Sequence, residues 1–282
     1  MKKPKHPGLA GIIGQPLDHS LSPFIHNLGF ALCKLPYVFV KIEIPPAKLA
    51  RTIGALPDLG FIGANVTMPH KETVVGLLDS LSPEAEAVGA VNTLVVKGGK
   101  LKGYNTDIDG FVRSLEALGR NRKYPTAALF GAGGAAAAVA FALHQYYGTR
   151  TFHFICRNGR KAKKNLSRKP FFGEGFRADF VDWKDAGGAV RAADIAVNAT
   201  PVGMNGRRGF SLSSDAFRSG QIACDLIYNS PRTPFMRLAQ KGGAKIMGGL
   251  EMLLAQAAVS FELWTGQDMP LEKVRKELLK AL

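Results

Sequence analysis

The chain has 282 residues, room for one large domain or two ordinary ones, and its 46% hydrophobic content suffices for a real core. It contains no run of about 18 apolar residues, so no membrane span is expected, and its basic start, M-K-K-P-K-H-P-G, lacks the apolar segment of a signal peptide and reads as a loose tail. The net charge of +15, from 37 Lys and Arg against 22 Asp and Glu, suits nucleic acid, anionic small substrates or solubility alone, and nucleic acid is disfavoured because no interleaved aromatics accompany the basic run over residues 157–169.

Residues 9–14 (L-A-G-I-I-G) read as a buried strand that runs into Q-P-L-D-H-S-L-S-P-F-I-H-N, residues 15–27. Ser22 has the form of an N-cap, with Pro23 first in a helix through Phe24, Leu28 and Leu32. That accounts for Ser22 but not for Ser20 beside Asp18 and His19; two hydroxyls at a strand-to-helix turn also suit a carboxylate. Residues 37–44 give a second strand, ended by Pro45-Pro46, and residues 47–55 a short helix. The third strand ends in I-G-A-N-V-T-M-P-H-K, residues 62–71. Asn65 and Thr67 share one face of it, Val66 and Met68 the other. Pro69 stops the ladder, so Lys71 lands just past the tip. It is either a solvated lysine by an edge strand or part of a site at the carboxyl end of a sheet, where open α/β folds bind ligands. The strand–helix alternation implies a mostly parallel sheet.

A helix is expected from about Glu72, and another from Pro83, capped by Ser82. Residues 89–96 and 101–107 form a hairpin about Gly98-Gly99, with Asn92-Thr93 on one arm and Asn105-Thr106 on the other. Asp107 opens a helix over 108–118 and serves either its dipole or a ligand. Polar residues 119–125 mark a boundary. A strand over 126–130 leads into Gly131-Ala132-Gly133-Gly134-Ala135-Ala136, the G-x-G-x-x-A dinucleotide fingerprint, ahead of an Ala-rich helix whose N-terminus suits a pyrophosphate. After the next strand, over 151–156, an NAD-binding chain would carry an acid. Here stand Arg157-Asn158-Gly159-Arg160-Lys161. Arg157 can stack on adenine, and Asn158 with Arg160 or Lys161 can hold a 2′-phosphate, which favours NADP. A basic solvated helix start explains the lysines but not the missing acid.

Strands follow over 178–181, 195–198 and 222–227, the last two ending in A-T-P-V-G-M and D-L-I-Y, so Tyr228 is a candidate ligand contact. After a strand over 245–247, Gly248-Gly249 opens a helix apolar nearly all round, hence buried, with Gln256 as a polar intruder that needs partners. The last helix, over 271–282, is amphipathic. Cys33, Cys156 and Cys224 are far apart in apolar contexts and read as buried free thiols of a reducing cytoplasm; no Cys or His spacing suits a metal.

Eight segments in order, G-Q-P-L-D-H-S-L-S-P-F-I-H-N, G-A-N-V-T-M-P-H-K, G-A-V-N-T, G-Y-N-T-D, G-A-G-G-A-A, N-A-T-P-V-G-M, D-L-I-Y and G-G-L-E-M-L-L-A-Q-A, make the chain closely resemble the shikimate dehydrogenases. The resemblance implies an α/β enzyme of two domains. Residues 1–108 with 249–282 would bind substrate, residues 109–248 would be a Rossmann-type NADP domain, and the active site would lie in the cleft. It implies that Ser20 and Ser22 bind the substrate carboxylate, that Asn65, Thr67, Asn92, Asp107 and Gln256 hold its hydroxyls, and that Lys71 and Asp107 form the catalytic pair. Gly131, Ala132, Gly133, Gly134, Ala135, Arg157 and Asn158 would hold the cofactor, with Lys161 or Arg160 on the 2′-phosphate and Leu226 and Gly249 at the nicotinamide. Cys156 departs from the Asn common before the arginine. The reaction implied is NADPH-dependent reduction of 3-dehydroshikimate to shikimate, toward chorismate. The expected partners are a small-molecule substrate, no nucleic acid and no membrane, in a monomer or homodimer. A quinate dehydrogenase, or a non-catalytic NADP-binding module on the same fold, are the alternatives.

Overall fold

The computed structural model describes residues 8–119, 122–173, 175–204, 209–230 and 232–281; the N-terminal tail lies outside them. The chain forms two compact units, one made of the chain up to Thr106 and again from Leu254, the other of Asp107–Leu253.

The first unit alternates β1 (Gly8–Gly14), α1 (Ser22–Leu32), β2 (Tyr37–Glu43), α2 (Leu49–Ala55) and β3 (Phe61–Val66), followed by β4 (Ser80–Leu81), α3 (Pro83–Val88), β5 (Thr93–Lys97) and β6 (Lys100–Tyr104). Its sheet has the order β2-β1-β3-β5-β6-β4, parallel across β2, β1 and β3. The β5–β6 hairpin joins β3 antiparallel, turning through Gly98 and Gly99 at φ 59° and 76°, the left-handed pair a tight hairpin requires. Ile13, Leu49, Ile53, Phe61, Val66 and Leu94 pack one core, each apolar side chain contributing about 1.5–3 kcal/mol by leaving water. The helix expected from Glu72 is instead a 3-10 turn over Thr73–Leu77. Its β-branched run, Thr73-Val74-Val75, followed by Gly76, disfavours an α-helix.

The second unit contains α4, which starts at Thr106 and runs to Glu116, then β7 (Thr126–Phe130), α5 (Gly134–Tyr147), β8 (Thr151–Ile155), α6 (Gly159–Leu166), β9 (Arg177–Val181), α7 (Ala186–Ala192), β10 (Ile195–Asn198), β11 (Ile222–Asp225), α8 (Pro234–Lys241) and β12 (Lys245–Met247). All six strands are parallel in the order β12-β11-β10-β7-β8-β9. This is a doubly wound Rossmann sheet, whose order reverses between β7 and β10.

α9 (Gly249–Thr265) begins in the second unit and returns the chain to the first, followed by α10 (Leu271–Ala281). Trp264 of α9 donates its indole N–H to the Leu94 carbonyl at 2.8 Å. Gly63 makes room for it: a Cβ there would stand 2.2 Å from Trp264 Nε1. The cysteines are free, but only Cys224 is buried. Cys33 follows α1 and Cys156 follows β8, and both are half-buried. Among the described residues no helix is long and apolar enough to cross a membrane, and no cluster suits a metal ion.

Candidate active site

In the first unit the polar residues gather at the carboxyl end of β3. The chain leaves the ladder after Val66 and turns, His70 N–H donating to the Thr67 carbonyl at 2.9 Å. Because the strand has already ended, Met68 does not share the buried face of Val66; it is 64% exposed. The methyl of Thr67 lies over Gly14, where a Cβ would collide at 2.3 Å. His70 is buried, with Nε2 3.0 Å from the Ile44 carbonyl. Lys71 is half-buried, and its carbonyl accepts from the Val91 amide at 2.8 Å.

Ser22 is not the N-cap of α1. Leu21 holds that place in helical conformation with no side-chain bond, and Ser22 is the first helical residue. Ser20 Oγ accepts from the Ser22 amide at 3.4 Å. Pro23 tolerates this earlier start because its missing N–H is an orphan position in the first turn.

Behind these residues lies a buried polar network. Asn65 Nδ2 faces Thr93 Oγ1 and Ser260 Oγ, both at 3.1 Å. The hydroxyls of Thr93, Thr106 and Ser260 form a triangle with edges of 2.8, 3.1 and 3.2 Å. Asn92 is held at both ends by Thr106, whose amide donates to Oδ1 at 2.7 Å and whose Oγ1 accepts from Nδ2 at 3.0 Å. Gln256, buried on α9, has Oε1 3.5 Å from Thr106 Oγ1, and its carbonyl accepts from Ser260. Thr93 and Ser260 were not singled out from the sequence. Ser260 follows Gln256 by four residues, one helical turn along the same face, which is the signal that could have found it. Asp107, the residue after Thr106, is buried in the first turn of α4.

In the second unit the glycine turn after β7 stands at the switch between β7 and β10. Gly131 has φ 103°, and a Cβ there would stand 3.0 Å from Thr200 Cγ2. Gly133 is the N-cap of α5 and offers no side chain to the orphan amides of the first turn; a Cβ on it would meet nothing within 4 Å. Ala132, Gly134 and Ala135 are half-buried around it. A glycine cradle open over a helix N-terminus fits a pyrophosphate.

Beyond β8, Asn158 caps α6, its Oδ1 accepting from the Lys161 amide at 2.9 Å, so its side chain is committed to the helix start. Arg157, Arg160 and Lys161 are exposed, and α6 carries no acid. These cations, with no carboxylate in their segment, fit a 2′-phosphate.

Two residues missed in the sequence pin the loops after β10 and β11. Asn198 and Asp225 are register partners, both fully buried. Asn198 Nδ2 donates to Asp225 Oδ1 at 3.0 Å, and its Oδ1 accepts from Thr200 N and Oγ1 at 3.0 and 2.7 Å. Asp225 also accepts from Ile227 N–H and the Thr233 hydroxyl. Burial pushes its carboxyl up, and these three bonds pull it part of the way back. A polar residue ending each of two otherwise apolar neighbouring strands was the available signal. Leu226 and Tyr228 are half-buried beyond, and burial raises the Tyr228 phenol. Gly249 lies against the chain here: a Cβ would come within 2.4 Å of the Leu226 carbonyl oxygen.

Residues 12–94 match the family model of the shikimate dehydrogenase substrate binding domain, and residues 249–279 that of the shikimate 5′-dehydrogenase C-terminal domain. A shikimate dehydrogenase (NADP(+)) of Moorella thermoacetica is 41% identical, with 98% of this chain and 94% of that one covered. The structure of shikimate 5-dehydrogenase from Listeria monocytogenes in complex with shikimate and NAD superposes with a TM-score of 0.87 at 32% identity, covering 99% and 98% of the two chains. A quinate dehydrogenase from Corynebacterium glutamicum in complex with NAD also superposes with a TM-score of 0.87, at 31% identity, covering 97% and 99%.

Proposed function

The chain belongs to the shikimate dehydrogenase family, and from that premise we infer that it is an NADP-dependent oxidoreductase that interconverts 3-dehydroshikimate and shikimate on the route to chorismate. The observation that carries the site assignment is the double hold of Thr106 on Asn92. It fixes an amide in register with the next residue, Asp107, inside a buried network that also engages Gln256. In our reading the unit that holds Lys71 binds substrate and the Rossmann unit binds NADP.

Ser20 and Ser22 donate to the substrate carboxylate, with the N-terminus of α1 favouring its charge. Ser20 is suited to this, because its lone pair accepts from the Ser22 amide and its proton stays available. Thr67, Asn92, Asp107 and Gln256 hold the ring hydroxyls, and Tyr228 is a further ligand contact. Asn65 acts on them through Thr93 and Ser260. NADPH, when bound, supplies hydride to the ring ketone. Lys71 gives a proton to the developing alkoxide and takes it back in the reverse direction, while Asp107 anchors a neighbouring hydroxyl. Gly131, Ala132, Gly133, Gly134 and Ala135 admit the pyrophosphate. Arg157 and either Lys161 or Arg160 meet the 2′-phosphate, with Asn158 shaping the turn. Leu226 and Gly249 would contact the nicotinamide end. We place the protein in the cytoplasm as a monomer or homodimer.

The test is a steady-state assay of reduced nicotinamide with shikimate and quinate, each paired with NADP and NAD. Fastest turnover of shikimate with NADP is expected. Preference for quinate would move the substrate assignment while keeping the Lys71–Asp107 roles, and no turnover on either acid would overturn the enzyme reading.

A further inference from the structure

Trp183 lies outside every segment that carries the family resemblance. It follows β9 as Arg157 follows β8. The two strands are paired with Ile155 opposite Val181, and Cys156 N–H extends the ladder to the Val181 carbonyl at 2.9 Å. Two residues past that pair, on each strand, stand Arg157 and Trp183. The Arg157 guanidinium carbon lies 5.5 Å from the centroid of the Trp183 ring, within cation–π range. The indole is braced by Phe210, edge-on at 5.3 Å. Asp182, next to it, is committed to capping the turn, its Oδ1 accepting from the Lys184 amide at 3.1 Å. Among the described residues no carboxylate pairs with Arg157, so its charge remains available to an anion.

We propose that Trp183 is a specificity-determining residue for the 2′-phosphorylated adenosine end of the dinucleotide, acting as an aromatic shelf that holds the Arg157 guanidinium at the ends of β8 and β9. This deepens the NADP reading above and rests on it. A free arginine loses much rotamer freedom when it grips a phosphate; one already laid on a ring loses less. The spacing also selects how the base stacks. A ring inserted between guanidinium and indole would need them about 7 Å apart, two van der Waals contacts. At 5.5 Å that gap is closed, so the indole supports the guanidinium and takes no base between them. A ribose without the 2′-phosphate gains little from this arrangement, so the shelf discriminates as well as binds.

The experiment is calorimetric titration of the wild type, Trp183→Leu and Trp183→Phe with NADP, NAD and the fragment 2′,5′-ADP. The wild type must bind NADP more tightly than NAD; otherwise the cofactor reading falls and this inference with it. Given that preference, Trp183→Leu is expected to weaken NADP and 2′,5′-ADP roughly tenfold and to leave NAD within about twofold, with Trp183→Phe recovering most of the loss. Equal weakening of NADP and NAD, or no change in either, overturns the role of Trp183 while leaving the cofactor assignment intact. Should the leucine variant not fold, wild-type tryptophan emission decides. It should change with 2′,5′-ADP and not with 5′-AMP, and an equal response to both, or none, overturns the shelf.

Discussion

Thr106 grips Asn92 at both ends of its amide, through its own backbone N–H at 2.7 Å and its hydroxyl at 3.0 Å. The side chain therefore has one orientation, with the nitrogen toward Thr106 Oγ1. Replacing Thr106 with Val keeps the shape and the backbone bond but removes one acceptor of Nδ2 and one corner of the hydroxyl triangle. Losing these buried hydrogen bonds costs about 1–3 kcal/mol. Urea denaturation of Thr106→Val should show a loss of that size, with kcat/KM for shikimate falling roughly tenfold or more. Unchanged stability and kinetics would mean that the triangle does not fix Asn92.

Lys71→Ala tests the proton-transfer role. General acid–base catalysis contributes about 10²–10⁴-fold, so kcat should fall by that order while the dissociation constant for shikimate stays nearly constant. Stopped-flow hydride transfer with equilibrium binding separates the two. Turnover near that of the wild type would remove Lys71 from the chemistry.

Ser20→Ala should behave in the opposite way. If Ser20 donates to the substrate carboxylate, as proposed, its loss should raise KM by the equivalent of about 1–3 kcal/mol, with kcat much less affected. The Ser22 amide loses its weak 3.4 Å acceptor but lies in the first turn of α1, where water can replace it. An unchanged KM would rule out the carboxylate contact.

Where function needs a backbone feature, local residues announced it. Gly131 and Gly133 were recognisable because a strand, a glycine turn and an Ala-rich helix succeed one another within a few residues. The Gly98-Gly99 hairpin and the Ser82 cap, whose Oγ accepts from Ala85 N–H, were visible for the same reason. Long-range features were not visible. The four-residue spacing from Gln256 marks Ser260, but not its meeting with Thr93, Thr106 and Asn65, since those contacts depend on where α9 lands in the first unit. The meeting of Arg157 and Trp183 depends on the register of β8 against β9. Ser22 was misplaced by one residue at the helix start because a Ser-Pro pair suits either an N-cap or a first turn.

Gly249→Ala separates contact with cofactor from packing. The new Cβ would stand 2.4 Å from the Leu226 carbonyl oxygen and 2.8 Å from the Ile227 carbonyl carbon, both backbone atoms that cannot step aside cheaply. Overpacking of this kind costs about 1–3 kcal/mol or more. The melting temperature of the apoprotein should therefore drop without any cofactor present. A variant as stable as the wild type, with weaker NADP binding, would assign Gly249 to direct contact.

His26 gives the chain an acid-sensitive core. It is fully buried on α1, its ring stacked on Phe39 at 4.5 Å and tilted against Trp264 at 4.9 Å. Neither ring nitrogen finds a hydrogen-bond partner among the described residues. Burial drives its pKa down to about 3, which the nearby Asn65 amide offsets only in part. The unfolded chain takes up a proton at about pH 6.5, and the folded chain refuses it until far lower. Below about pH 6.5 the unfolded state therefore binds more protons, and stability falls with pH down to the folded value near 3. Between about pH 7 and pH 4.5 this linkage removes roughly 2–3 kcal/mol. Asp225 acts in the opposite sense. Its raised pKa makes the folded state hold a proton the unfolded state releases, so its penalty eases only as pH falls through its folded value. His26→Leu deletes the histidine titration and keeps an apolar filling between Phe39 and Trp264. Its urea-derived stability should be flatter than that of the wild type over this range, whatever its absolute value. Parallel stability curves for the two proteins would show that His26 is protonated in the folded core, against the burial that surrounds it.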